Sequence, residues 1–550
     1  MIATACGSDD DDGSSSATTV SQDVPKGGTL VIGAEQEPDC LDWIGTCSGS
    51  SWGYWMVAVQ TMPRAFDVVR DAENNYSYEH SIVLADEPVL ETDPVQKITY
   101  KINPKAVWSD GTPITSSDFK YTWDQIANGA DVYDKTGYDL IAGVDDSDKA
   151  TAVVTFKSGQ SFSDWKGLFT GNYGIFPSHL LAGKDRNAEM KDGYTFSGGP
   201  WLLDGGKSGW TKTDNITLVP NPKFWGTKPK LDKVIFKIQA NTAAEFTAFK
   251  SGQVSAIFPQ PQVDAVDQIN AGLENTSKDI TANTGNFEAL WLNNGVFPFD
   301  DVEVRRAVAY AVDRNALVTR LFGGLGVKTP LNDLNGPIVS ENTDVDAYSK
   351  YKLDLKKVDE LLTGAGWAKG SDGIYAKGGK KLSFKVSTTA GNARRELTQQ
   401  ILQPMFKAAG MEMTVDNTTA GDLFGKRLPE GNFQSAIYAQ VLTTLQGSTC
   451  NLFCSKNLSP IGKTGGNNYT RTNVPALDAA LLKADSSLDE DELSKAGKEA
   501  SKVSADNVIS LPLDPLPTIL LWNSSKIVGP VRDNAVLGPW WNINTWGVRS

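Results

Sequence analysis

Few residues in this chain could carry acid–base or metal chemistry. Two histidines, His80 and His179, serve all 550 residues, which leaves little of the commonest general base and metal ligand. Gly49-Ser-Ser-Trp-Gly53 spells the glycine-flanked serine of a hydrolase nucleophile elbow, with Ser51 as the nucleophile. That elbow needs a strand before it and a helix after it. Here it follows Cys47 with no apolar strand of its own, and neither histidine is preceded by a persuasive acid in the expected chain order. A secreted serine hydrolase is therefore a remote reading. Ser163-Asp-Trp-Lys166, Ser455-Lys-Asn457 and Lys463-Thr-Gly465 mimic a penicillin-recognising serine enzyme, but only five residues separate the last two, too few to reach separate walls of a cleft. Gly462-Lys-Thr464 has Asn457 where a phosphate loop requires its first glycine. Gly323-Gly-Leu-Gly326 ends a helical pattern, whereas a dinucleotide fingerprint opens one. No catalytic residue, metal or cofactor is expected.

The five cysteines sort by spacing. Cys40 and Cys47 lie seven apart, Cys450 and Cys454 four apart, both in stretches rich in Gly, Ser, Thr and Asn that can bend enough to close a short bridge. A zinc site made of all four lacks the usual two-residue gap and a neighbouring His. Two local disulfides in an oxidising, extracytoplasmic compartment are expected. Cys6 is left over. It follows Ala3-Thr-Ala5 and precedes Gly7-Ser8, a pattern similar to the lipobox of a bacterial lipoprotein, in which Cys6 would carry the lipid. Ala3 stands where that box usually has Leu, and the charged and apolar regions of a signal peptide do not precede it. Residues 1–19, with Asp9 to Asp12 and many Ser and Thr, cannot bury enough apolar surface to order themselves, and are expected to act as a tether.

A net charge of −14 argues against nucleic acid, whose phosphates need a cationic face. No run approaches the ~18 apolar residues of a membrane span. Gly and Pro, 51 and 26 residues, are too few for a disordered chain. Periodicity then marks the elements. Gly28 to Gly33 reads as a short buried strand, and Ile98, Tyr100 and Ile102 alternate onto one face of another. Further strands are expected at 152–156, 216–219 and 234–238. Phe119, Trp123 and Ile126 recur at helical spacing. Asp300 and Glu303 make a capping box for a helix whose stripe runs Val304, Ala307, Val308, Ala311, Leu317 and Leu321 until Gly323. Helices are also expected at 355–362 and 394–409. Aromatic residues crowd segments that read as loops: Trp43, Trp52, Tyr54 and Trp55 near the first cysteine pair, and Trp540, Trp541 and Trp546 near the end. Grouped beside a cleft, such rigid faces suit a ligand wall.

Ile98 to Trp123, "ITYKINPKAVWSDGTPITSSDFKYTW", closely resembles the signature of the family 5 extracytoplasmic solute-binding proteins of ABC importers, the oligopeptide and dipeptide binders. Four more segments resemble the family in its order: Gly27 to Asp42, Gly198 to Asp232, Leu292 to Asn315, and Lys357 to Trp367. The resemblance implies an α/β, type II periplasmic-binding-protein-like fold with two lobes, a hinge and a ligand cleft between them. It implies a discontinuous first lobe at 20–60, 185–285 and 505–550, an inserted subdomain at 61–184, and a second lobe at 286–504. It further implies a monomeric, lipid-anchored protein outside the cytoplasm that captures oligopeptides by lobe closure and hands them to a permease.

In the family, Glu37 and Asp39 lie in a loop beside the ligand, and Tyr438 and Gln440 line the opposite lobe. With Trp43, Trp52, Trp55 and Trp541 they form the expected ligand set. Many peptide binders place there a Gly-Trp followed by an Asp that holds the peptide's α-ammonium group, whereas this chain reads Ala436-Ile-Tyr-Ala-Gln-Val-Leu-Thr-Thr444, without an acid. A buried ammonium lacking its counter-ion costs several kcal/mol. Either another acid such as Asp39 takes the role, or the ligand is not a free-amine peptide in the usual register. Nickel-carrying members use histidine or a chelator, and two scattered histidines argue against a direct site. Sugar-binding members stack rings on Trp, so a cello- or xylo-oligosaccharide binder is the alternative.

Overall fold

The computed structural model describes residues 24–45, 47, 51–71, 76–129, 131–132, 134–171, 174–282, 284–334, 342–441, 449–458, 460–463 and 466–549. Cys6 and the 1–19 tether, Gly49 of the serine motif, Thr464–Gly465, and 442–444 lie outside them.

Two large sheets, each with its own apolar core, define two lobes of a mixed α/β fold. The first runs, in spatial order, Thr276–Thr281, Thr518–Asn523, Ala256–Ile257, Thr29–Ala34, Lys233–Ile238, Asn215–Pro220 and Trp201–Leu203, with Trp210–Thr211 paired to Asn215–Pro220. Thr29–Ala34 lies near its centre, parallel to Lys233–Ile238, with Leu30 opposite Val234 and Ile32 opposite Phe236. All four side chains are fully buried, which is why this stretch reads as a nearly continuous apolar run. The second sheet runs Glu412–Val415, Ser383–Ser387, Ser435–Gln440, Phe287–Leu292 and Ser510–Pro515. Phe287–Leu292 is flanked on both sides and buried throughout.

Ser510–Pro515 therefore joins the second sheet, apart from the rest of the 505–550 segment that the sequence reading placed in the first lobe. Its partner is more than two hundred residues upstream, and nothing local in Ser-Leu-Pro-Leu-Asp-Pro reveals it. The chain crosses between sheets after Thr281 and again after Pro515. The two crossings hold each other: Leu516 N donates to the Asn286 carbonyl at 2.8 Å, and Thr284 Oγ1 to the Leu516 carbonyl at 2.8 Å.

A smaller four-stranded sheet, Val89–Glu91, Lys97–Lys101, Thr151–Phe156 and Ile141–Asp145, sits between the first-sheet strands in sequence. Ile98, Tyr100 and Ile102 point inward as their alternation requires. Helix Ser116–Asn128 covers this sheet, with Phe119 packed on Tyr100 at 5.4 Å between ring centroids. Its capping box is made by Thr115 and Asp118. The helix expected to run to Gly323 is two, Val302–Tyr310 and Arg314–Phe322. The cap of the first is Asp301, not Asp300, and Asp313 restarts the second by accepting from Ala316 N. An aspartate in the middle of an apolar stripe offers the backbone this alternative to a continuous helix. Helices Leu355–Gly364 and Ala393–Ala408 match their expected positions.

Candidate functional site

The loop that follows Thr29–Ala34 begins with Glu35, whose carboxylate accepts from Gln260 N at 3.3 Å. Glu245, on helix Thr242–Lys250, is fully buried, with both carboxyl oxygens unpartnered among the described residues. Its side chain rests on Gly33, where a Cβ would come within 3.0 Å of Glu245 Cγ. Burial, then the neighbouring Glu35 charge, pushes the Glu245 carboxyl well above the usual range, and burial raises Glu35 as well.

The second lobe brings a matching set. Glu288 and Asp514 are register partners on adjacent strands close to the crossings. Glu288 Oε1 accepts from Arg394 Nη2 at 2.9 Å and Arg395 Nε at 2.6 Å. Burial would raise this carboxyl, but the two guanidiniums outweigh burial and hold it at about 2. Asp514 is fully buried with neither oxygen hydrogen-bonded among the described residues, and burial followed by Glu288 pushes it well above its ordinary value. Arg394 is also attracted to Glu35 of the first lobe. Asn392 Nδ2 donates to Gln260 Oε1 at 3.4 Å, a direct bridge between lobes. The lobes thus meet over a charged junction at the crossings. The inserted segment also touches the second lobe: Ser163 N donates to the Asp485 carbonyl at 2.8 Å and Ser161 Oγ to the Ser486 carbonyl at 2.5 Å.

The expected ligand set divides between several places. Trp52 and Trp55 come together, ring centroids 6.2 Å apart, and Phe258 packs edge-on against both at 5.9 and 5.8 Å. Tyr438, in the second lobe, stacks on Trp291 at 5.0 Å, with the half-exposed Phe424 edge-on at 5.7 Å. Gln440 ends the same strand, opposite Phe287. Asp39 is exposed. Glu37 is engaged, accepting from Trp210 Nε1 and Thr213 N, each at 2.8 Å. Trp43 is buried and donates to the Tyr194 hydroxyl at 3.2 Å. Trp541 lines a separate cavity, and Trp540 and Trp546 are core.

Disulfides join Cys40 to Cys47 and Cys450 to Cys454. The first closes the loop that carries Asp42, which Arg186 grips with Nε and Nη2 at 2.9 and 3.0 Å. His80 faces Glu87 at 3.2 Å and His179 faces Asp110 at 2.8 Å, so each is matched to a surface carboxylate.

Sequence reasoning missed Glu35, Glu245, Phe258, Gln260, Glu288, Asn392, Arg394 and Asp514. A signal existed for the acids: Glu288 interrupts Phe-Glu-Ala-Leu-Trp-Leu, and Asp514 interrupts Leu-Pro-Leu-Asp-Pro-Leu. A lone carboxylate inside an apolar run needs either a cation or a proton.

The family model for bacterial extracellular solute-binding proteins, family 5, middle region, matches residues 82–451, well over half of the chain. This chain belongs to that family. Among its relatives, the oligopeptide-binding protein OppA of Mycobacterium tuberculosis is 27% identical over 479 residues, covering 83% of this chain and 75% of the relative. Protein XP55 of Streptomyces lividans is 25% identical over 395 residues, covering 71% and 67%. Among solved structures, the periplasmic EDTA-binding protein EppA superposes with a TM-score of 0.84 at 24% identity, covering 97% of this chain and 99% of that one. The oligopeptide-binding protein AppA from Bacillus subtilis, in complex with a nonapeptide, gives 0.78 at 20%, covering 96% and 100%. At such identities the structural likeness speaks for the fold alone. Family membership places the protein among extracellular solute binders. No helix among the described residues is long and apolar enough to cross a membrane.

Proposed function

We propose that this protein is the substrate-binding component of an ABC importer, capturing extracellular oligopeptides between its lobes and delivering them to a membrane permease. The observation that carries the reading is the extended match to relatives named as oligopeptide-binding, over 83% of this chain. The geometry is compatible with it: a double crossing between the lobes, a further contact of the inserted segment with the second lobe, and aromatic side chains in both lobes. An extended peptide bonded through its main chain would explain affinity without narrow sequence preference. Asp39, exposed in the loop after the first strand, is the candidate counter-ion for the α-ammonium group.

The proposed division keeps 20–60 and 185–285 in the first lobe and 61–184 as the insert. Sheet membership argues for moving 505–515 to the second lobe. Cys6 is proposed as the lipidated residue of an otherwise monomeric protein without catalysis of its own. Mass spectrometry of native protein checks the anchor: a diacylglycerol adduct on Cys6 is expected, and an unmodified Cys6 contradicts it.

An oligosaccharide is the second reading, favoured by the Trp52–Trp55–Phe258 cluster and by the absence of an acid in Ala436–Thr444. Thermal-shift screening against a peptide library and a panel of cello- and xylo-oligosaccharides separates the two. Stabilisation by peptides is expected; stabilisation by sugars alone overturns the peptide reading.

A further inference from the structure

A cavity of about 880 Å³ opens between the first lobe and the inserted segment. It lies within the size range of small-molecule sites, and none of Glu35, Phe258, Gln260, Glu288, Arg394 or Asp514 lines it. Its walls come from chain segments far apart in sequence: the end of the helical stretch that carries Trp55, the hairpin strand Phe66–Arg70, residues 224–227, the paired strands at Lys278 and Trp522, and residues 530–545. Three tryptophans, Trp225, Trp522 and Trp541, contribute to it.

Its charge runs against the rest of the molecule. The chain carries −14, yet the charged residues around this cavity are four cations, Arg64, Arg70, Lys278 and Arg532, against two acids, Asp67 and Asp279. Four less two leaves a positive surplus of two. The acids are already taken: Arg64 pairs with Asp67 at 2.6 Å and Arg70 with Asp279 at 3.1 Å. Arg532 and Lys278 have no carboxylate within ion-pair distance among the described residues. Arg532 is held in place by carbonyl oxygens of Arg70 and Asp71, and its own carbonyl accepts from Trp541 Nε1 at 3.0 Å. One residue therefore fixes both a cation and an aromatic wall. Trp225 adds a buried Nε1–H with no acceptor among the described residues, a polar group whose burial is costly until something accepts from it.

We propose that this cavity is a second ligand site, distinct from the interlobe cleft, that takes a small amphipathic anion: an apolar or aromatic body among Trp225, Trp522 and Trp541, and an acid group facing Arg532 and Lys278. Aromatic faces supply contact area and the unpaired cations supply charge-assisted hydrogen bonds. A neutral ligand of the same shape would leave those cations as they are and gain only the contact area.

Fluorescence titration of the whole protein with anilinonaphthalene sulfonate, and with its uncharged analogue phenylnaphthylamine, tests this. Saturable binding of one sulfonate per chain is expected, about tenfold tighter than the neutral analogue, a factor typical of one hydrogen bond to a charged group. Arg532→Gln, and separately Lys278→Gln at an exposed position with no partner to lose, should each remove most of that advantage, while Trp541→Leu should weaken both probes. A compound that stabilises the protein through the interlobe cleft should leave the sulfonate bound. Equal affinity for the two probes, sulfonate binding unchanged in Lys278→Gln, or its displacement by a cleft ligand would each overturn the proposal.

Discussion

Glu288 keeps its charge inside a strand of apolar neighbours because two guanidiniums face it. Replacing it with Ala leaves Arg394 and Arg395, both largely buried, without their counter-ion. A loss of about 3–5 kcal/mol is expected, measured by urea denaturation. Asp533 behaves in the opposite sense. Burial, only partly offset by a hydrogen bond from Thr518, raises its carboxyl to about 6, with Asp279 adding to the rise and Arg70 opposing it. A carboxyl with a raised folded value contributes most below its unfolded value near 3.9, and that contribution is lost as the pH rises through about 6. The contribution amounts to about 3 kcal/mol. Asp533→Asn should therefore gain melting temperature relative to the parent between pH 4 and pH 7, and parallel pH profiles of the two proteins check this. Glu288 works the other way, stabilising above its unfolded value and losing that effect as the pH falls towards 2. Such residues are poorly legible in sequence. The lone acid is visible, but whether a cation or a proton neutralises it depends on Arg394, more than a hundred positions away.

At the scale of elements, periodicity revealed the strands and helices whose burial is one-sided. Ile98, Tyr100 and Ile102, or Val304, Ala307 and Val308, announce a face because the solvent side is polar. Pairing was not legible in the same way. Ser510–Pro515 is buried at every position, so no alternation marks a face, and its membership of the second sheet follows from long-range pairing with Phe287–Leu292. The tryptophans show the same limit: Trp52 and Trp55 form one cluster, while Trp541, which looked like their partner, belongs to another wall. That cluster also rests on a turn. Gly538 has φ +80°, and a Cβ there would lie 2.1 Å from Trp55 Cγ, so Gly538→Ala must both strain the backbone and displace the ring. A cost of about 1–3 kcal/mol is expected, with altered tryptophan fluorescence in the folded state; denaturation followed by fluorescence measures both.

For the molecule as a whole, function depends on the two lobes closing on a solute. Ser161 and Ser163 contact Ser486 and Asp485 of the second lobe, and weakening that contact is expected to lower ligand affinity. Ser163→Pro removes the donated N–H. About a fivefold to tenfold weaker binding is expected, measured by calorimetric titration. The two-lobed architecture was legible because five ordered motifs carried it; the identity of the solute was not, because the proposed ligand walls, Trp52, Trp55 and Phe258 in one lobe and Tyr438 in the other, combine side chains that are remote in sequence. The most direct measurement is native mass spectrometry of protein purified without denaturant, followed by acid release and sequencing of whatever leaves the cleft. The expected result is peptides of varied sequence, one per chain. A ladder of pentose or hexose units in their place would contradict it.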